Sequence, residues 1–109
     1  MSDKIFLSDY FNTLKKLINF EKQTDQLVNV KKIILEAKKN KAKTMIFGNG
    51  GSAAIASHFS VDLTKNAGVR CVNFNESDLL TCFSNDFGYA RWVEKAIEYY
   101  GDKNDILIL

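Results

Sequence analysis

Apolar residues Phe11, Leu14, Leu17 and Ile18 recur at helical spacing, which predicts a first helix with Ser8 as its N-cap. A second helical stripe runs through Leu27, Val30, Ile33, Ile34 and Ala37, opposite Lys31, Glu36 and Lys38. Then the period changes. Residues 44–47, "TMIF", form a short apolar run between lysines and glycines, the pattern of a buried parallel strand. After the glycines, residues 52–66 contain neither Gly nor Pro and predict a helix, with Gly68 as a stop signal. Residues 69–74, "VRCVNF", predict a second strand. A short helix entered near Ser77 is expected to leave into a loop at Asn85, Asp86 and Gly88. "ARWVEKAIEYYG" predicts a further helix with Val93, Ala96, Ile97 and Tyr100 inward and Gly101 past its end. Residues 105–109, "DILIL", predict a third strand.

Helices alternating with short buried strands imply an α/β domain with a parallel sheet and right-handed crossovers. The expected organisation is a helical segment, residues 1–43, followed by a βαβαα-β portion, residues 44–109. Three strands make a small sheet, so the pattern points to part of a longer protein or to a chain that relies on partner subunits.

Composition changes little in this picture. A 46% hydrophobic chain with 26% charged residues is ordinary for a globular domain. A net charge of +2 over 109 residues gives no basis for a nucleic-acid or membrane partner. The lysines of "KKNKAK", residues 38–43, read as a solvated helix end. Cys71 and Cys82 each sit in an apolar segment, without metal-ligand spacing, and are expected to be buried free thiols. The N-terminus has no signal-peptide pattern, so a cytoplasmic location is expected.

The chemistry concentrates after the first strand, in "GNGGSA". In open α/β sheets ligands bind beyond the carboxyl ends of strands, where helix N-termini present N–H groups to anions. A nucleoside-triphosphate loop is excluded, because no lysine lies between Lys43 and Lys65. A dinucleotide site stays open: Gly48, Gly50 and Ala53 satisfy the spacing, and Glu76 follows the second strand. That reading leaves Ser52, His58 and Asp62 without a role. Ser52, at the expected helix start, can cap the helix or bond a phosphate or sugar oxygen. His58 and Asp62, four residues apart, share a helix face suited to a divalent metal or to acid/base work.

"FGNGGSAAIASHFSVDL" followed by "FSNDFG" resembles the sugar isomerase (SIS) domain family, most closely its phosphoheptose isomerase branch, and the resemblance extends over essentially the whole chain. It implies a flavodoxin-like, doubly wound α/β sandwich that assembles as a homotetramer with active sites at subunit interfaces. It implies a phosphorylated sugar as substrate, an open-chain ketoheptose phosphate isomerised to an aldoheptose phosphate on the route to lipopolysaccharide and capsule sugars. Asn49, Gly50, Gly51 and Ser52 would contact the substrate, and Asn85 and Asp86 would complete that part of the pocket. His58 would ligate Zn2+, and Asp62 would be both a zinc ligand and the candidate base. The family has Glu where this chain has Asp62, one methylene shorter. Its serine-rich phosphate loop and remaining zinc ligands, a Gln and a His, lie beyond "ILIL", so the 109 residues alone are expected to be catalytically inert. A phosphosugar-binding or protein-interaction SIS module without turnover is the alternative.

Overall fold

The computed structural model describes residues 2–109. They fall into two compact units, Met1–Lys32 and Ile33–Leu109. The first holds α1 (Asp3–Leu17), a single 3-10 turn (Glu21–Gln23) and the start of α2 (Thr24–Lys39). Helix α1 starts earlier than its spacing suggested. Ser2, not Ser8, is the N-cap, its Oγ accepting from the Ile5 N–H at 3.4 Å, and Asp3 occupies the first turn where a negative charge favours the dipole.

The second unit is a three-stranded parallel sheet in the order β2-β1-β3, from β1 (Thr44–Ile46), β2 (Cys71–Asn73) and β3 (Ile106–Ile108). Met45 pairs with Val72 on one side and Leu107 on the other. Between the strands lie α3 (Gly51–Lys65), α4 (Ser77–Phe87), a 3-10 turn (Tyr89–Arg91) and α5 (Trp92–Tyr100). Side chains alternate across the strands and so divide the core in two. Ile46, Ala56 and Cys71 form one cluster, with Leu63 and Ile108 packed on it. Met45, Phe47, Phe74, Trp92 and Ala96 form the other, under Leu79, Leu80, Phe83, Val93 and Ile97 of α4 and α5. Phe47 stacks on Phe74 at 5.0 Å and meets Trp92 edge-on at 5.8 Å. Each such aromatic pair is worth about 1 kcal/mol beyond its burial. Helices thus cover both faces of a parallel sheet, the doubly wound arrangement.

Helix α3 is joined to β2 by a polar seam. Ser60 Oγ accepts from Asn73 Nδ2 at 2.8 Å, and Asn75 Nδ2 donates to Ser57 Oγ and to the Ala53 carbonyl at 2.8 Å. Thr64 Oγ1 donates to the Cys71 carbonyl at 3.2 Å and accepts from its N–H at 3.3 Å. Ser57, Ser60 and Thr64 share a helix face, while positions 71, 73 and 75 share a strand face, so the two periodicities meet.

Four expectations are corrected. Asn85 and Asp86 lie in the last turn of α4, because the apolar stripe Leu79, Leu80, Phe83, Phe87 carries the helix on to Gly88, whose φ of +89° ends it. Trp92 and Ala96 are the buried residues of α5, and Tyr100 is exposed at its end, its ring 5.2 Å from Phe74. Cys71 is buried, but Cys82 is exposed on α4, its Sγ 3.5 Å from Asp86 Oδ2. That carboxylate pushes the Cys82 thiol pKa up, and burial does the same for Cys71.

The lysine run is the fourth. Lys38 Nζ donates to the Ala67 carbonyl at 2.8 Å, and Lys43 is no solvated helix end. Its Nζ reaches Asp105 Oδ2 at 2.5 Å and Asp102 Oδ2 at 2.7 Å, with 11% of its side chain exposed against 5% for Asp105. Asp105 Oδ1 also accepts from the Lys43 N–H at 2.9 Å, clamping the starts of β1 and β3. Burial works to raise the Asp105 pKa, but hydrogen bonds from Lys43 and the Asp102 N–H hold it below the usual carboxylate value. A depressed folded pKa contributes stability that is present above the unfolded value of about 3.9 and is lost as pH falls through the folded one. Asp105→Asn is therefore expected to lose about 2 kcal/mol at neutral pH. In urea unfolding the gap from the parent narrows as pH falls below about 3.9; a gap independent of pH would refute the assignment.

Candidate functional site

The carboxyl ends of β1 and β3 face the point where the chain reverses direction across the sheet, since β2 lies to one side of β1 and β3 to the other. Such a switch point opens a crevice. Pairing continues one residue past β1, the Phe47 N–H donating to the Ile108 carbonyl at 2.9 Å, before the chain enters the glycine loop. Gly48 is packed so tightly under α3 that a Cβ there would collide with the Ser52 carbonyl. Gly50 has φ +58° and ψ −121°, a conformation open to glycine and strained for any side chain.

Gly50, not Ser52, is the N-cap of α3, and no side chain caps the helix. Ser52 is the second helical residue and is exposed, so capping does not occupy its hydroxyl. The loop satisfies part of the first turn itself: the Ser52 N–H donates to the Asn49 carbonyl at 3.0 Å and the Ala53 N–H to the Gly50 carbonyl at 3.1 Å. Asn49, Gly50, Gly51 and Ser52 form one exposed rim.

Beside this rim lies a cavity of about 330 Å³, lined by Phe47, Gly48 and Asn49 after β1, Leu109 after β3, and Tyr89, Ala90, Trp92 and Val93 from the start of α5. The Tyr89 hydroxyl donates to Asn49 Oδ1 at 3.0 Å. The aromatics Tyr89 and Trp92 escaped the sequence reading, although two aromatics three apart just after Gly88 are a signal for a wall of this kind. Asn85 and Asp86 are not among the residues lining it. Asn85 Nδ2 donates to Asp86 Oδ1 at 3.1 Å, and Asp86 borders a separate depression with Phe83, Phe87, Tyr99 and Tyr100.

Two turns into α3, His58 Nε2 lies 3.6 Å from Asp62 Oδ2, with side chains 81% and 49% exposed. Two ligands on a tetrahedral zinc ion at about 2.0–2.1 Å sit about 3.3 Å apart, so the pair fits two positions of such a site. Among the described residues no third His, Cys, Asp or Glu joins them. Glu76 is the N-cap residue of α4, exposed and without a side-chain cap bond, and its hydrogen bond with Asp78 raises its carboxyl pKa.

An open, doubly wound α/β domain with a glycine loop and a histidine helix at its switch point is the class that fold and site define. No family model matches the chain. The phosphoheptose isomerase of Buchnera aphidicola subsp. Acyrthosiphon pisum is 34% identical over 116 residues, covering 99% of this chain and 60% of its own. That of Helicobacter pylori is 37% identical over 82 residues, covering 70% of this chain and 43% of its own. The structure of the Neisseria gonorrhoeae phosphoheptose isomerase matches with a TM-score of 0.83 at 25% identity, over 95% of this chain and 57% of that one. The Francisella tularensis enzyme, at 22% identity and a TM-score of 0.86, shares the fold. The chain is similar to the phosphoheptose isomerases over up to 99% of its length, and it spans 43–60% of the length of these relatives. Among the described residues no helix is long and apolar enough to cross a membrane.

Proposed function

We propose that the chain carries the sugar-binding loop and the acid/base pair of a phosphoheptose isomerase site. The observation that supports this most is that the Asn49–Ser52 rim leads directly into α3, the helix that carries the His58–Asp62 pair, in a chain homologous to those enzymes. Ketose-to-aldose isomerisation removes a proton from the hydroxylated carbon next to the carbonyl, passes through an enediol, and returns a proton to the former carbonyl carbon. Asp62 is the base for that transfer. His58 and Asp62 would hold zinc, which when bound supplies positive charge for the enediolate oxygens. Asn49, Ser52 and the α3 terminus orient hydroxyl or phosphate oxygens. Phe6, Phe11, Leu17 and Ile18 of α1 are exposed, which suits self-association into a homo-oligomer.

A second reading, binding without turnover, is favoured by Asp62 itself, whose shorter side chain reaches less far than a glutamate. Calorimetric titration with sedoheptulose 7-phosphate and with NAD tests the proposal. Saturable binding of the heptose phosphate alone is expected. NAD binding without a response to the sugar would sink it. Aldose formation followed by NMR, with zinc present, separates the two readings in a longer protein that joins this segment to the serine-rich phosphate loop and remaining zinc ligands, since the 109 residues alone are expected to be inert.

A further inference from the structure

We infer that Tyr89 is a positioning residue for sugar recognition, acting through Asn49; the inference rests on the phosphosugar reading of the same loop. Asn49 follows β1, and Tyr89 opens the turn before α5, 40 positions later, yet the Tyr89 hydroxyl donates to Asn49 Oδ1 at 3.0 Å across the mouth of the cavity. The turn that carries Tyr89 is held from both ends. Gly88, at φ +89°, starts it, and the Arg91 N–H closes it on the Gly88 carbonyl at 3.0 Å. Trp92, buried against Phe47, anchors it to the core on the far side.

An asparagine side chain alone has a broad, nearly two-fold terminal torsion, so its oxygen and nitrogen exchange places readily. The Tyr89 hydroxyl holds the amide plane in place, with Oδ1 toward it in this structure. It leaves the two Nδ2 hydrogens of Asn49 without a partner among the described residues, while the phenol oxygen retains acceptor capacity. Apart from the Trp92 indole, the other side chains lining the cavity are apolar or absent: Phe47, Gly48, Ala90, Val93 and Leu109. A neutral donor–acceptor pair in an apolar wall matches a sugar hydroxyl, which both donates and accepts, better than a phosphate, which needs charge or several N–H groups. Asn49, held by Tyr89, therefore reads the hydroxylated carbon chain, leaving the phosphate to other groups.

The test is a double-mutant cycle on the chain, titrated calorimetrically with sedoheptulose 7-phosphate and, separately, inorganic phosphate. Tyr89→Phe keeps the ring and removes only the hydroxyl. It is expected to weaken sugar-phosphate binding about fivefold and to leave inorganic phosphate binding unchanged. In an Asn49→Ala background the same change should cost less than about twofold, since the group through which Tyr89 acts is gone. Equal sugar-phosphate affinity in the parent and Tyr89→Phe would overturn the inference, as would the full fivefold penalty persisting beside Asn49→Ala. Failure of the parent and every variant to bind the sugar phosphate overturns the phosphosugar reading, and this inference with it.

Discussion

Gly48→Ala is expected to lose about 3 kcal/mol of stability, because its Cβ would meet the backbone of Ser52 rather than a side chain that can move aside. The carbonyl it would strike belongs to the first turn of α3, so relief requires the helix to lift away from the end of β1. Gly51→Ala is the control. A Cβ there meets open space, and alanine is the better helix former, so its stability should stay within about 0.5 kcal/mol of the parent. Urea unfolding of the two variants side by side decides the matter. Similar midpoints for both would mean that the close approach is not a constraint on this loop.

His58→Ala is expected to weaken zinc binding by about a hundredfold or more, since it deletes one of the two ligands the chain offers. The effect should appear in a direct zinc titration, independent of turnover. Asp62→Glu should keep measurable affinity, because glutamate retains the carboxylate on the same helix face one methylene further out. If His58→Ala binds zinc as the parent does, the pair is an exposed ion pair and nothing more, worth at most about 0.5 kcal/mol to the helix. Without zinc, neither substitution is expected to change stability much, as His58 and Asp62 lie outside the core clusters.

Much of this architecture could be read from residue spacing. The change from helical period to the short run "TMIF", followed by glycines, located β1, its loop and α3 to within a residue or two, because local hydrophobicity and backbone freedom act over the same few positions. What escaped depends on partners distant along the chain. Lys43 reads as one more lysine in a basic run until Asp105, 62 residues on, is brought beside it by the pairing of β1 with β3. Tyr89 reads as a surface aromatic until the turn after Gly88 carries it to Asn49. Asn85 and Asp86 were placed in a loop because their types favour turns, yet the apolar stripe of α4 outweighs that preference and the helix continues through them. Cys82 is exposed because Leu79, Leu80 and Phe83 supply the face of α4 that packs on the core. Ser8 lost the first cap to Ser2 because the helix begins more than two turns before Phe11, the first of the apolar residues used to define it.

The seam between α3 and β2 has a consequence for motion. Greasy surfaces slide past one another with a gradual change in energy, whereas a row of hydrogen bonds is indexed: shifting α3 along its axis would orphan Ser60, Asn73, Asn75 and Thr64 together. The histidine helix is therefore geared to the sheet and travels with it. Whatever adjustment ligand capture demands falls to the two glycine joints on either side of the cavity mouth, Gly50 and Gly88, which already sit where only small changes in torsion swing the flanking residues.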